Sequence, residues 1–296
     1  MGGTDTERRV RTALGVLGEA VSALRGVHEL CASRGLGPVQ ILPAIETFLD
    51  SSLGLAGQMR MLFGVLGREA AGSPLGPAVE ALERALPGPL DAVARAFGRS
   101  SWAKLGARDR LELERAVGGA AADIDGIRSL CELVYAALHP RLLELGVREL
   151  VESHRASELA RARAAQSTAG PAPQALSVLL GIADERSFSA DPHVAWGVLE
   201  VLLRAVAASG GAELCVRPAG DWLEVEVAAR GHHSAITQDG VRWSELVVVV
   251  GPGLPVDLVV AGAAAAQLGL RLERGPSVQR LGLPIEPPSW GQVAAS

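Results

Sequence analysis

The sequence predicts an α+β protein in which an all-α N-terminal half of helical hairpins precedes an α/β sandwich. Three observations predict it. Between Thr6 and Leu138, apolar residues recur at spacings of three and four, the period of helices that each bury one face. From Ala175 onward, short runs alternate apolar and polar residues or consist of valine alone, as strands do. Two apolar helical stretches, Val198 to Val206 and an Ala-rich one ending at Gly269, fall between these strands. Helices laid on a sheet make a sandwich.

The first helix is expected from about Thr6 to Arg34, with Val10, Leu17, Val21, Leu24 and His28 on its inner face, and Gly35-Leu36-Gly37-Pro38 stops it. The second runs from about Val39 to Gly67, with Pro43 placed in its first turn, where a missing N–H is harmless. Ser73-Pro74-Leu75-Gly76-Pro77 is a break. A third segment, Ala78 to Phe97, contains Pro87 and Pro89. A proline inside a helix removes a hydrogen bond and clashes with the preceding turn, at a cost of about 3 kcal/mol, so a kink or two shorter helices are expected. The fourth and longest helix spans about Ala107 to Leu138 and ends at His139-Pro140. Antiparallel hairpins bury such stripes economically. One hairpin is expected over 1–72, a second, dimerisation-like hairpin over 73–160, and the sandwich over 175–290.

Residues 164–174 are small and uncharged and read as a loop. A strand follows over Ala175 to Ala183. Asp191-Pro192 then opens the first sandwich helix. The alternation in Glu213 to Arg217 and Trp222 to Val227 predicts a hairpin around Pro218-Ala219-Gly220-Asp221, and Val247 to Val250 is a further strand.

Composition narrows the function. The chain has 296 residues, enough for two domains, and a net charge of −5. Lys104 is its single lysine, and the net negative charge argues against a nucleic-acid partner, whose binder should carry a basic face. Cys31, Cys131 and Cys215 are widely separated and form no CxxC pair, so neither a disulfide framework nor a zinc site is expected. The adjacent His232 and His233 point to opposite faces on an extended backbone, and no metal site is expected there. The most apolar stretch, Leu246 to Leu270, is interrupted by Gly251-Pro252-Gly253 and Asp257, whereas a bilayer span needs roughly 20 uninterrupted apolar residues. The first ten residues are polar and charged, unlike a secretory signal. A cytoplasmic protein without membrane insertion is therefore expected.

Three motifs in order along the second half carry a family resemblance. Asp191-Pro192 is followed by Val201-Leu202-Leu203-Arg204-Ala205-Val206. The strand Leu223 to Val227 is followed by Ala229-Arg230-Gly231-His232-His233. The turn Gly251-Pro252-Gly253-Leu254-Pro255-Val256 precedes the Ala-rich helix, and Leu281-Gly282-Leu283-Pro284 closes the chain's last strand. This succession resembles the ATP-binding domain of bacterial sensor histidine kinases, whose fold is shared with gyrase B and MutL. In that family the first motif reads Asn-Leu-Leu-x-Asn-Ala, with the second Asn on Mg²⁺; here Val201 and Ala205 stand at the two positions. The second motif reads Asp-x-Gly-x-Gly, its Asp accepting from adenine; here the position is Ala229, although Gly231 is kept. The third reads Gly-x-Gly-Leu-Gly-Leu and cradles phosphate on backbone N–H groups. Gly251, Gly253 and Leu254 persist, but Pro255 has no N–H to donate, and Asp257 brings a negative charge to the same helix start. The resemblance thus implies a vestigial nucleotide site, with ATP and Mg²⁺ binding lost or weak and no cofactor.

The resemblance also directs attention to a phosphoacceptor histidine in the helical half, where relatives read His-Glu-Leu-Arg-x-Pro-Leu. The best register is Arg84-Ala85-Leu86-Pro87-Gly88-Pro89-Leu90, which puts Arg84 at the histidine position. His28, followed by Glu29-Leu30, is a weaker candidate acceptor. His139 reads as a helix terminator and His154 as a solvated residue. Trp196 and Trp222 are expected in the sandwich core and Trp243 near the short lid. The expected function is a catalytically degenerate histidine-kinase-like protein, dimeric through its helices. It would act as a scaffold or regulator on a histidine kinase or a response-regulator receiver domain. The alternatives are a histidine phosphotransferase relaying phosphate between receiver domains, and a weakly active ATP-binding kinase.

Overall fold

The computed structural model describes residues 3–33, 38–99, 107–155, 174–207, 211–231, 241–251, 253–275 and 278–286. The chain separates into two compact units. The first is Met1–Ala71, Val79–Glu132 and Arg161–Ala172; the second is Gly72–Ala78, Leu133–Ala160 and Pro173–Ser296.

The first unit is helical among its described residues. It holds α1 (Gly3–Ala32), α2 (Pro38–Glu69), most of α3 (Gly76–Ala85), α4 (Pro87–Arg99) and most of α5 (Ala107–Leu138). Most of the expected inner-face residues are buried, among them Val10, Leu17, Leu24 and Val27 on α1 and Leu113, Val117, Ile124 and Ile127 on α5, whereas Leu111 near the start of α5 is 45% exposed. Full burial of one such side chain stabilises by about 1.5–3 kcal/mol, so the stripes supply the force that pairs the helices. The third segment splits as its prolines require: α3 ends at Ala85, and Pro87 opens α4 at the position where its missing N–H is harmless. Pro43 differs from expectation. The helix starts earlier, at Pro38, so Pro43 lies inside α2 rather than in its first turn.

Helices from both expected hairpins share one core. Phe48 of α2 meets Phe97 of α4 edge-on at 6.1 Å, and Arg25 of α1 pairs with Asp125 of α5 at 3.0 Å.

The second unit is the α/β sandwich. Its six-stranded sheet has the order β6-β2-β4-β5-β8-β7. The strands are β2 (Gln174–Ile182), β4 (Ala212–Ala219), β5 (Trp222–Ala229), β6 (Arg242–Val250), β7 (Arg271–Arg274) and β8 (Val278–Pro284). Only the β2–β4 pair is parallel, and the helix a parallel crossover needs is α7 (Pro192–Ala207). The β4–β5 hairpin turns on two residues, Gly220 and Asp221, since Ala219 pairs with Trp222. Gly220 has φ 66°, the left-handed value that such a tight turn demands at its first position. The second sandwich helix, α8 (Asp257–Gln267), ends in a Schellman motif. Leu270 N–H donates to Ala265 O at 2.9 Å and Gly269 N–H to Ala266 O at 3.2 Å, with Gly269 at φ 65°.

Alternation along each strand sorts the sheet into two faces. Leu176, Val178, Leu214, Val225, Val248 and Leu281 are buried on the inner face, and α7 contacts β4, β5, β6 and β8 from that side. The other face carries a ladder of charges. Arg217 pairs with Glu224, and Arg280 reaches Glu226 at 3.1 Å and Glu273 at 3.6 Å. A two-stranded sheet of β1 (Leu143–Leu145) and β3 (Phe188–Ala190) has no counterpart in the sequence expectations.

Two aromatic expectations are corrected. His154, on the helix α6 at 147–155, is half-buried rather than solvated; its ring lies parallel to Trp196 with centroids 4.9 Å apart. Trp222 starts β5 half-buried, with the Arg271 guanidinium 4.1 Å above its ring, instead of packing in the core. Trp196 is buried as expected.

All three cysteines are buried and free. Burial and the neighbouring Glu114 push the Cys31 thiol up to about 11; burial pushes Cys131 up to about 12; burial and Glu226 raise Cys215. At about pH 8 none is a thiolate, the form that reacts with disulfide reagents. The native protein should therefore release no colour from such a reagent within minutes and three equivalents once unfolded. Fast reaction of one native thiol would contradict this burial.

Candidate functional site

Two segments of the expected nucleotide site, α7 and the turn that leads into α8, lie against each other. The sequence dictates α7 well. Asp191 accepts hydrogen bonds at Oδ1 from the N–H groups of His193 (2.9 Å) and Val194 (3.1 Å), and Pro192 follows as the first helical residue. This is an N-cap with proline after it, the preferred opening of a helix. Oδ2 of the same carboxylate accepts the Arg141 N–H at 2.7 Å.

Val201 and Ala205 lie one turn apart on α7. Val201 is buried and Ala205 is exposed. Neither side chain offers the oxygen that a magnesium ion requires. Ala229 is the last residue of β5, paired with Ala212, and its methyl cannot accept from a base. Gly231 follows it at φ 84°. Gly251 is half-buried, Gly253 exposed and Leu254 half-buried.

The contacts that shape this end run through two charged residues. Arg204, one residue before Ala205, directs Nη1 to Asp257 Oδ2 at 3.3 Å, and the pair is deeply buried, with side chains 10% and 4% exposed. Glu200, one turn earlier on α7, lies 3.7 Å from Arg204 Nη2. Asp257 Oδ2 also accepts the Leu254 N–H at 2.9 Å, while its Oδ1 is buried with no hydrogen-bond partner among the described residues. Burial drives the Asp257 carboxyl above its ordinary range; the Arg204 guanidinium and the Leu254 N–H pull the other way and offset this only in part.

Asp257 stands out in the sequence as a charge at the helix start; Arg204 does not, because it falls on the variable position of its motif. One signal could have found it. It is the single charge in the otherwise apolar run Val201 to Val206, and a buried arginine calls for a carboxylate. The side chains of Val201, Ala205 and Ala229 offer no oxygen, Pro255 has no N–H, and the Leu254 N–H is taken by Asp257.

The two phosphoacceptor candidates lie in the helical unit. Arg84 sits in the last turn of α3, 77% exposed, with Nε donating to Glu80 O. The motif it would head is interrupted, since α3 ends at Ala85. His28 is 14% exposed, with Nε2 4.0 Å from Glu114. Its ring lies so close to Gly118 of α5 that a Cβ there would come within 2.7 Å of Cδ2. His232 and His233 lie outside the described residues. Two cavities open elsewhere, about 720 Å³ between α1 and α5 and about 530 Å³ beside 146–153 and 182–185; neither is lined by residues of the α7–α8 site. No group of three potential metal ligands occurs among the described residues, and no described helix is long and apolar enough to cross a membrane.

Fold and site together define a mixed α+β protein with a helical unit and a sandwich whose helix junction is closed by an ion pair. No family model matches this chain, and no curated protein does. Among solved structures, the histidine kinase AdeS of Acinetobacter baumannii matches 70% of this chain and 97% of its own, at 13% identity and a TM-score of 0.40.

Proposed function

We propose that this chain is a histidine-kinase-like signalling protein whose nucleotide site is closed, and that it works as a scaffold or regulator through protein contacts. The observation that carries this is the Arg204–Asp257 pair. A nucleotide phosphate at the start of α8 would need the Leu254 N–H, which Asp257 already takes at 2.9 Å, and would meet a carboxylate of its own sign. Ala205, Ala229 and Pro255 each lack a group such a ligand requires. Losing one hydrogen bond to a charged group costs about 1.5–3 kcal/mol, and these losses accumulate. The partners that fit are a histidine kinase or a receiver domain, with the chain itself a homodimer.

The test is a calorimetric titration with ATP and with ADP, each with and without Mg²⁺. Silence up to millimolar nucleotide is expected. A Kd tighter than about 100 µM, roughly −5.5 kcal/mol, would overturn the proposal and favour the active-kinase alternative. The phosphate-relay alternative needs His28 to present a ring nitrogen to a receiver domain. Its small exposure and its packing on Gly118 weigh against that. Phosphate uptake from a phosphorylated receiver, lost on His28→Ala, would reinstate it.

A further inference from the structure

We propose that Arg204 and the Leu254 amide, in the turn that leads into α8, form a site for a small oxyanion, and that the chain fills this site with the carboxylate of its own Asp257. This deepens the closed-site proposal above by naming what closes the site.

An oxyanion bound to a protein is recognised by a guanidinium, by backbone N–H groups and by the positive end of a helix. The guanidinium and one backbone N–H converge here, at the turn that leads into α8. Arg204 supplies Nη1 at 3.3 Å and Leu254 its N–H at 2.9 Å, both on the same oxygen, Oδ2. Asp257 is itself the first residue of α8, an 11-residue helix. Its carboxylate therefore turns back onto the turn before its own helix and does not reach forward to solvent. Gly253 lies beside it, with the place of a Cβ only 3.9 Å from Oδ2. A carboxylate made to serve only as a surface charge would be hydrated. This one is 4% exposed and keeps Oδ1 without a hydrogen-bond partner among the described residues. The geometry is that of a bound anion tethered by one methylene.

The counter-charge near the site is Glu200, 3.7 Å from Arg204 and 20% exposed. It leaves the guanidinium less than a full charge to offer, so a free anion should bind weakly, in the millimolar range, and better when Glu200 is neutral. In the native protein the tethered carboxylate is always at hand, and its effective concentration excludes millimolar competitors.

Asp257→Ala empties the site without removing its donors. Thermal melts would be run on the whole chain in chloride, acetate and inorganic phosphate at matched ionic strength, about 50 mM of each oxyanion. Acetate or phosphate should raise the melting temperature of Asp257→Ala by about 3–6 °C over chloride. The wild type and Asp257→Asn, whose side chains still fill the space, should shift by less than about 1 °C. Asp257→Ala/Glu200→Gln should shift further, and Asp257→Ala/Arg204→Met should lose the effect. The acetate and phosphate arms report which oxyanion the site prefers. Should Asp257→Ala fail to fold in chloride, recovery of the folded fraction by oxyanion becomes the readout. Identical behaviour of Asp257→Ala in all three salts would overturn the proposal, as would an equal shift in the Arg204→Met double variant. Nucleotide binding by the wild type would defeat the closed-site proposal without touching this result.

Discussion

Arg204→Met should destabilise the sandwich by about 3–5 kcal/mol, the usual cost of removing one partner from a buried ion pair. The physical reason lies in what remains. Asp257 would keep a carboxylate 4% exposed, with one hydrogen bond from Leu254 and none at Oδ1 among the described residues. Its pKa is already raised by burial with Arg204 present, so without the guanidinium it must take a proton or draw in water. Methionine preserves most of the apolar stem, so the loss reports charge more than volume. The companion variant Arg204→Met/Asp257→Leu removes both charges and should recover most of the stability, since exchanging a buried pair for apolar groups is often neutral or better. Urea denaturation followed by tryptophan fluorescence measures both. A midpoint for Arg204→Met equal to wild type, or a double variant as weak as the sum of its singles, would show that the pair is not coupled as the geometry requires.

Asp191→Ala should cost about 2–4 kcal/mol. The cap on α7 contributes about 0.5–2 kcal/mol, and a buried N–H left without an acceptor costs about 1–3 kcal/mol more. Asp191 is 3% exposed and serves three amides at once, those of His193, Val194 and Arg141. It thereby joins the start of α7 to the chain just after α5. Asp191→Asn keeps one acceptor oxygen and should recover part of the loss. Equal stability of the alanine variant and wild type would mean that solvent replaces all three contacts. Because α7 carries Arg204, the same variant should also loosen the α7–α8 junction, visible as faster amide exchange at Leu254.

Much of the fold is legible in the order of residues alone. Ala107 to Leu138, a break near Pro87 and a hairpin around Pro218 to Asp221 follow from local rules: a period of 3.6, the missing N–H of proline, the left-handed freedom of glycine. Asp191-Pro192 announces its cap for the same reason. The site is half legible. Ala205, Ala229 and Pro255 can be recognised as absences against a family pattern, but an absence does not say what takes the space.

What the sequence determined by itself is the long helices, the longer strands and most of their buried residues, since each depends on residues within a few positions of one another. What only the tertiary structure decided is which faces and edges meet. The placement of β6 beside β2, the pairing of the three-residue strands β1 and β3, the seat of His28 on Gly118 and the stack of His154 on Trp196 are all of this kind. So is the junction itself. Arg204 and Asp257 belong to different helices, and nothing local to either marks the other. They are brought within 3.3 Å because the sheet places α7 and α8 side by side, and a buried charge is tolerable only where the fold supplies its partner.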